Sequence, residues 1–432
     1  MRPTGLLLRD FRAFAGEHRL PLRPLTLIYG PNNAGKSAIL RSLPLMADSL
    51  SGGLDALRLD GRVAEYDLSF DALHYRGDRT KGDPSLGLGL QWDCSDLAQP
   101  QMAIEWGIRE ESTWSRILVQ RLRVSSSLDS REAFLLAERS ERVPRHQRTA
   151  ATVRYRLPEK DDIEVNIGLK GLTPDLSKIL EPGLAETLSE SLSRLTSGVL
   201  WLRSLRKPPA RYTTWKGGVR WELEPSGVDA PIILAGEAEI QEEVREWYRT
   251  YAQRTLLVEE TRPKEARVLI QHPNGITVDL IDAGEGLGQI LPVLTSLAMA
   301  KRHKDRGGPI VLAIEEPEAH LHPNLQVGLA SQICNVIEKA KPLIIMETHS
   351  LSLLLAVQLQ LAKGKLKKED VILYWVRQSD DGCSVATPIE LDDLGRFHGA
   401  WPPAAFQDDL ALRAELLDER EAKESERGAQ QC

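Results

Sequence analysis

The sequence predicts an α/β fold, a mixed β-sheet flanked by helices and carrying an inserted helical/β lobe. Three observations carry that expectation. The stretch "LTLIYGPNNAGKSAIL" joins an apolar strand to a helix through a glycine-bounded loop. "PIVLAIEEPEAHLHP" runs the apolar residues Ile310 to Ile314 straight into the adjacent acids Glu315 and Glu316. "LIIMETHS" repeats the pattern and ends at His349 and Ser350. Short branched apolar runs of this kind read as strands covered on both faces. In an open α/β sheet, the carboxyl ends of such strands are where ligands bind.

The first of these stretches has a defined spacing: Gly30, four residues, then Gly35-Lys36-Ser37. This is the P-loop pattern. Gly30 and Gly35 let the backbone wrap close to phosphate oxygens, with Asn32 and Asn33 between them. The helix that starts at Lys36, Ser37 and Ala38 presents free N–H groups and its positive dipole end to an anion. Lys36 reaches for the β- and γ-phosphates, and the Ser37 hydroxyl suits Mg2+.

A P-loop needs carboxylates at a neighbouring strand end. Glu315 is the candidate to face the magnesium shell, and Glu316 the candidate to orient or deprotonate an attacking water. Lys36 and Glu315 lie 279 residues apart. The core is therefore split by inserted chain, a layout like that of ABC-type heads. "IDAGEGLGQILPVL" places Gly284, Gly286 and Gly288 before an apolar helix, the arrangement of a second anion site, with Gln289 next in line. His349, at a strand end, suits a group that senses the γ-phosphate.

Composition bounds the rest. The chain has 432 residues, enough for more than one lobe, with 42% hydrophobic and 27% charged residues. No apolar run is long enough to span a bilayer, and "MRPTGLLLRDFRAF" does not read as a signal peptide. Cys94, Cys334, Cys383 and Cys432 are scattered, which argues against a zinc site or disulfide framework and fits a cytoplasmic protein. A net charge of −7 disfavours a surface that binds nucleic acid everywhere, but leaves room for a local basic groove.

Along the chain, 1–75 and 200–403 read as the split head, 76–199 as an inserted, helical, Arg-rich lobe, and 404–432 as a charged helical tail. Within the insert, "REAFLLAERSERV" and residues 174–197 read as helical. Residues 237–260 read as one amphipathic helix, followed by strands "RVLIQHP" and "ITVDLIDA". Residues 201–221, "WLRSLRKPPARYTTWKGGVRW", hold six basic residues, four aromatics and no acid. That composition suits a nucleic-acid surface, with Arg203, Arg206, Lys207 and Arg211 as its cations, and equally an ordinary strand pair with snorkelling arginines. "EAHLH" brings Glu318, His320 and His322 together, but not at the i, i+4 spacing of a metal-binding helix.

Taken together, "LRDFRAFAGEHRLPLRPLTLIYGPNNAGKS", "LWLRSLRKPPARY", "EPSGVDAPIIL", "DAGEGLGQILPVL", "IEEPEAHLHP", "ETHS" and "GAWPPAAFQDD" resemble the SMC/RecF/OLD branch of ABC ATPases. Within it, the chain is similar to stand-alone OLD-like bacterial AAA family ATPases without a Toprim domain. The resemblance implies Mg-ATP held between two heads of a homodimer or higher oligomer. It implies Arg12 and Asn32 as nucleotide contacts, and Gly286, Gly288 and Gln289 as contacts to the partner head's γ-phosphate. It also implies a separately encoded effector, a nuclease or toxin, in anti-phage defence. A RecF-like DNA-binding ATPase and an ATP-binding scaffold with little turnover are the alternatives. Relatives often carry serine where Gly288 stands, which implies slow hydrolysis.

Overall fold

The computed structural model describes residues 1–63, 68–75, 85–93, 101–111, 116–128, 131–139, 152–157, 163–216, 218, 221–302 and 308–398. The charged tail and the "GAWPPAAFQDD" stretch lie outside them.

A seven-stranded sheet sits at the centre, in the order β11 (Val199–Leu202), β16 (Val311–Glu315), β17 (Leu343–Glu347), β3 (Leu25–Tyr29), β18 (Val371–Gln378), β19 (Ser384–Leu391) and β20 (Phe397–His398). The first five are parallel and the last two antiparallel. Strands β3, β16 and β17 are buried along their whole length, as their unbroken apolar runs require. Register fixes the geometry of their ends. Glu315 is opposite Glu347, and Glu347 is opposite Ile28. Strand β17 therefore separates β16 from the loop-bearing β3, so Glu315 starts about 10 Å from β3 and Glu347 about 5 Å from it.

Helices cover one face of this sheet: α4 (Ala230–Gly236), α5 (Ala238–Trp247), α6 (Glu285–Lys301), α7 (Pro323–Ala340) and α8 (Leu351–Ala362). Leu291, Leu294, Leu329, Ile333, Leu353 and Val357 pack there against Leu312, Ile344 and Leu373. The other face carries α1 (Lys36–Leu50), α3 (Pro182–Gly198) and a second sheet, joined through Leu43, Trp106, Leu188 and Trp201.

That second sheet corrects the expected helical insert. It has nine antiparallel strands in the order β10 (Thr173–Pro174), β9 (Ile163–Lys170), β8 (Thr152–Leu157), β7 (Arg131–Arg139), β6 (Arg116–Leu128), β5 (Gln101–Glu111), β4 (Leu86–Asp93), β1 (Gly5–Phe11) and β2 (Phe14–Pro21). "REAFLLAER" is strand β7, paired with β6 from Leu128–Arg131 to Arg121–Glu138. Cross-strand pairing overrides a helical-looking local period. The inserted strands continue the sheet begun by β1 and β2.

Residues 174–197 do supply a helix, α3. The helix expected over 237–260 is shorter. Helix α5 runs into a π-turn at Tyr248–Ala252, and Gln253 then adopts a left-handed conformation. Thr255–Arg262 is strand β13, paired with β14 (Glu265–Gln271), which in turn pairs with β15 (Thr277–Asp279). Among the described residues, no helix is long and apolar enough to cross a membrane.

Candidate functional site

The glycine-bounded loop sits between β3 and α1, and close packing explains its glycines. A Cβ on Gly30 would lie 2.0 Å from the Val376 carbonyl oxygen on β18. Gly35 has φ 101°, and a Cβ there would meet Ser384 Oγ at 2.7 Å and Phe14 at 3.2 Å. Ser384 stitches the region together: its N–H donates to Ala13 O and its hydroxyl to Ala34 O, both at 2.7 Å. The β1–β2 turn that holds Arg12, itself at φ 53°, is thereby fixed beside the loop. Asn32 and Asn33 are exposed on its crest. Lys36 opens α1 and is buried. Its ammonium donates to Gly30 O at 3.0 Å and Pro31 O at 2.8 Å, and lies 3.6 Å from Glu347. Burial lowers the Lys36 pKa against the opposing pull of Glu347. The Ala38 amide donates back to Gly35 O at 3.1 Å.

The two acid-bearing strand ends differ. Glu315 is turned away from the loop. Arg41 on α1 grips both its oxygens, at 2.6 and 2.7 Å, while Trp201 Nε1 donates to it at 3.0 Å and the Ser204 amide at 3.4 Å. β17 stands between Glu315 and the loop-bearing β3, and Arg41 pairs with the Glu315 carboxylate. Glu347, which the sequence reading passed over, is the acid beside Lys36. Burial raises the Glu347 pKa, with Ser37 and Lys36 acting against that rise. Its Oε2 is buried with no hydrogen-bond partner.

Glu316 follows β16 with φ 44°, a left-handed conformation for a non-glycine residue. Its N–H donates to Glu347 O at 2.8 Å, and Arg206 donates to its carbonyl at 2.9 Å. Arg206 also donates to Glu315 O at 2.9 Å and is only 5% exposed. Burial draws its pKa down to about 10, against Glu318, Glu316 and Glu315. Arg206 thus clamps the strand end, and neither it nor Arg211, which pairs with Asp279 and Asp282, is a free cation for nucleic acid.

His349 is exposed at the end of β17, its pKa lowered by burial of the ring's surroundings and by Lys36. Its backbone is held by Glu318, which accepts from the His349 N–H and the Thr348 hydroxyl, both at 2.7 Å. Glu318 is itself buried, and burial raises its pKa. His320 points to Glu285 at 3.5 Å, while His322 caps α7 by accepting from Asn324 N at 3.4 Å. The "EAHLH" side chains therefore diverge, and among the described residues no three metal-type side chains cluster.

Gly284, at φ 105°, starts α6. A Cβ on Gly286 would lie 2.4 Å from His320 O, so the glycine admits the turn after Glu316. Gly288 packs against Pro209. Gln289 is buried and donates to Arg206 O at 3.1 Å, so its side chain braces the clamp. Sequence reasoning thus missed Glu347, Arg41, Trp201 and the inward roles of Arg206 and Glu318.

Comparison with known proteins bears on the family and the fold. A family profile described as "AAA domain, putative AbiEii toxin, Type IV TA system" matches residues 25–356. No curated protein matches the chain. Among solved structures, an SmcHead bound to the C-winged helix domain of ScpA is 12% identical with a TM-score of 0.50, covering 90% of this chain and 99% of that one. The SMC head domain from Thermotoga maritima is 12% identical with a TM-score of 0.42, covering 90% and 100%. A Smc head domain with an extended coiled coil, bound to the C-terminal domain of ScpA derived from Pyrococcus furiosus, is 11% identical with a TM-score of 0.46, covering 90% and 96%. The fold is that of an ABC-type P-loop NTPase head.

Proposed function

The chain belongs to this AAA-domain family, and from that premise we propose that it binds and hydrolyses Mg-ATP as a nucleotide-driven dimerisation switch. One observation supports the reading: Lys36, which opens α1 after the glycine-bounded loop, lies 3.6 Å from Glu347 at the end of β17, beside the β16 end that carries Glu315 and Glu316. Lys36, freed from its carbonyls, would take the β- and γ-phosphates, and the loop amides and the α1 dipole would hold the rest. Glu316 is the candidate to orient the attacking water, and His349 to meet the γ-phosphate. Arg12, on the turn tied to the loop, and Asn32 and Asn33, on its crest, are candidate nucleotide contacts. Gly286 and Gly288 remain candidates to approach a second head's nucleotide through the α6 N-terminus.

Hard oxygen donors at Ser37 and at the strand-end carboxylates suit Mg2+, and the unpartnered buried oxygen of Glu347 fits such an ion. Bound there, the ion would neutralise phosphate charge that the protein's own cations leave uncovered.

The biological setting we propose is anti-phage defence beside a separately encoded effector. The family's description, which names a Type IV TA system, supports a role with a partner. The DNA-repair alternative loses support, because Arg206 is buried and Arg211 is paired.

Lys36→Ala should abolish ATP binding, measured by calorimetry. Glu316→Gln should bind ATP, turn over slowly and accumulate as a dimer in light scattering. ATP-saturated Glu316→Gln that stays monomeric would sink the dimerisation switch.

A further inference from the structure

Glu316 and His349, the two side chains read as acting at the γ-phosphate, stand on backbone that is held by two buried side chains of opposite charge. Glu316 has φ 44°. A non-glycine residue in that conformation is strained, and it persists where the surroundings fix it on both sides. Its N–H donates to Glu347 O at 2.8 Å, and its carbonyl accepts from Arg206 Nη2 at 2.9 Å. Arg206 Nη1 donates to Glu315 O at 2.9 Å and to Arg203 O at 3.1 Å. One planar fork thus spans two consecutive carbonyls, which a lysine ammonium cannot reproduce. Gln289 on α6 holds the arginine's own carbonyl at 3.1 Å.

Glu318 does for His349 what Arg206 does for Glu316. Its Oε1 accepts from the Thr348 hydroxyl and the His349 N–H, both at 2.7 Å, and so pins the turn between β17 and α8. The Thr348 oxygen accepts in turn from the Ser350 N–H at 3.1 Å, and Ser350 caps α8 through Leu353 N at 2.9 Å.

These two charges are expensive to keep. Arg206 is only 5% exposed and Glu318 only 9%. Each retains one buried atom with no hydrogen-bond partner, Nε of Arg206 and Oε2 of Glu318. Glu318 is also the acid that most opposes the lowering of the Arg206 pKa by burial. Apolar side chains would fill the same space at less cost in desolvation. They could not hold the carbonyl of Glu316 or the N–H of His349.

We propose that Arg206 and Glu318 are positioning residues for hydrolysis that act as one electrostatic unit, Arg206 fixing Glu316 toward the attacking water and Glu318 fixing His349 toward the γ-phosphate. The proposal rests on the nucleotide-site reading above. Capture of ATP falls to the loop, Lys36 and the α1 N-terminus, so the pair governs the rate of cleavage and not the affinity.

The experiment measures ATP affinity by calorimetry, single-turnover cleavage of bound ATP, and the thermal midpoint, all on the full chain. Arg206→Gln and Glu318→Ala should each slow cleavage by about 100-fold, with ATP affinity near the wild type's. Glu318→Gln keeps an oxygen for the His349 N–H and should lose less. Arg206→Lys keeps the charge but not the fork, and should recover the thermal midpoint without recovering the rate. Residues that act as a unit are not additive, so Arg206→Gln/Glu318→Ala should lose far less than the product of the single losses. Wild-type cleavage in folded Arg206→Lys or Glu318→Ala overturns the assignment, and so does affinity that falls in step with rate. Single losses that multiply in the double variant overturn the unit. Should Arg206→Gln not fold, Arg206→Lys takes its place in the double variant. Lys36→Ala separates the two levels: if it binds ATP as the wild type does, the nucleotide-site reading itself falls, whatever the Arg206 series shows.

Discussion

The ends of β16 and β17 carry one glutamate each in matched register, yet they are built for opposite purposes. Glu315 is saturated: a bidentate arginine, an indole N–H and an amide leave it nothing further to bind. Glu347 is half-satisfied, with a lysine and an orphaned oxygen. Identical chemistry in adjacent strands is fully paired in one and half-paired in the other. The difference comes from strand order, because β17 borders the loop-bearing β3 and β16 does not.

The sharpest way to break this contrast is Arg41→Ala. It leaves a carboxylate that is only 2% exposed without its cation. Stranding one member of a buried pair typically costs about 3–5 kcal/mol, read as a fall in the denaturant midpoint. Arg41→Lys should recover only part, since a point charge cannot satisfy both oxygens in the plane. A loss within the range of a surface pair, below about 1 kcal/mol, would mean that Glu315 is not structural.

Trp201→Phe is a finer probe. It keeps the ring's packing at the sheet interface and deletes only the Nε1–H bond to Glu315. The expected cost is about 1–3 kcal/mol, because hydrogen bonds to charged groups lie at the upper end of the range. The Mg2+ dependence of ATP binding should not change. A shift in that dependence would tie Glu315 to the metal.

Much of this fold was legible in sequence, and the reasons are local. Gly30 and Gly35 bound a loop whose spacing alone fixes its chemistry, and the unbroken apolar runs before Glu315 and Glu347 can only be doubly covered strands. What could not be read depends on pairing across long distances. Strand β7 has a composition that reads as helix and is a strand because β6 lies beside it. The basic stretch 201–221 reads as a surface, but Arg206 folds inward to clamp Glu315 and Glu316, whose carbonyls lie more than a hundred residues away. Glu347 was hidden by its own neighbours: "ETHS" draws attention to the histidine, and nothing local says that this strand, not the one with paired acids, will abut Lys36.

A half-buried acid extends the comparison to its weakest case. Asp229, before α4, makes no ion pair among the described residues; both its oxygens accept from the Glu224 amide, at 3.0 and 3.2 Å. Burial pushes its pKa up to about 6, with the charges of Glu224 and Glu222 adding to the rise and its backbone hydrogen bonds opposing it. The folded state therefore holds this proton more tightly than the unfolded chain, whose aspartates titrate near pH ~4. The stabilisation is full below pH ~4 and is lost as pH rises through about 6, so ionised Asp229 weighs against the fold at neutral pH. Asp229→Asn keeps an oxygen for the Glu224 amide and removes that charge. Its stability at pH 7 should exceed the wild type's by about 1 kcal/mol after allowance for partial solvent screening, and the advantage should vanish by pH ~4. Urea melts across that window decide it. A variant less stable than the wild type at pH 7 would mean that the amide bonds outweigh burial, and that a half-buried acid here needs no cation to be tolerated.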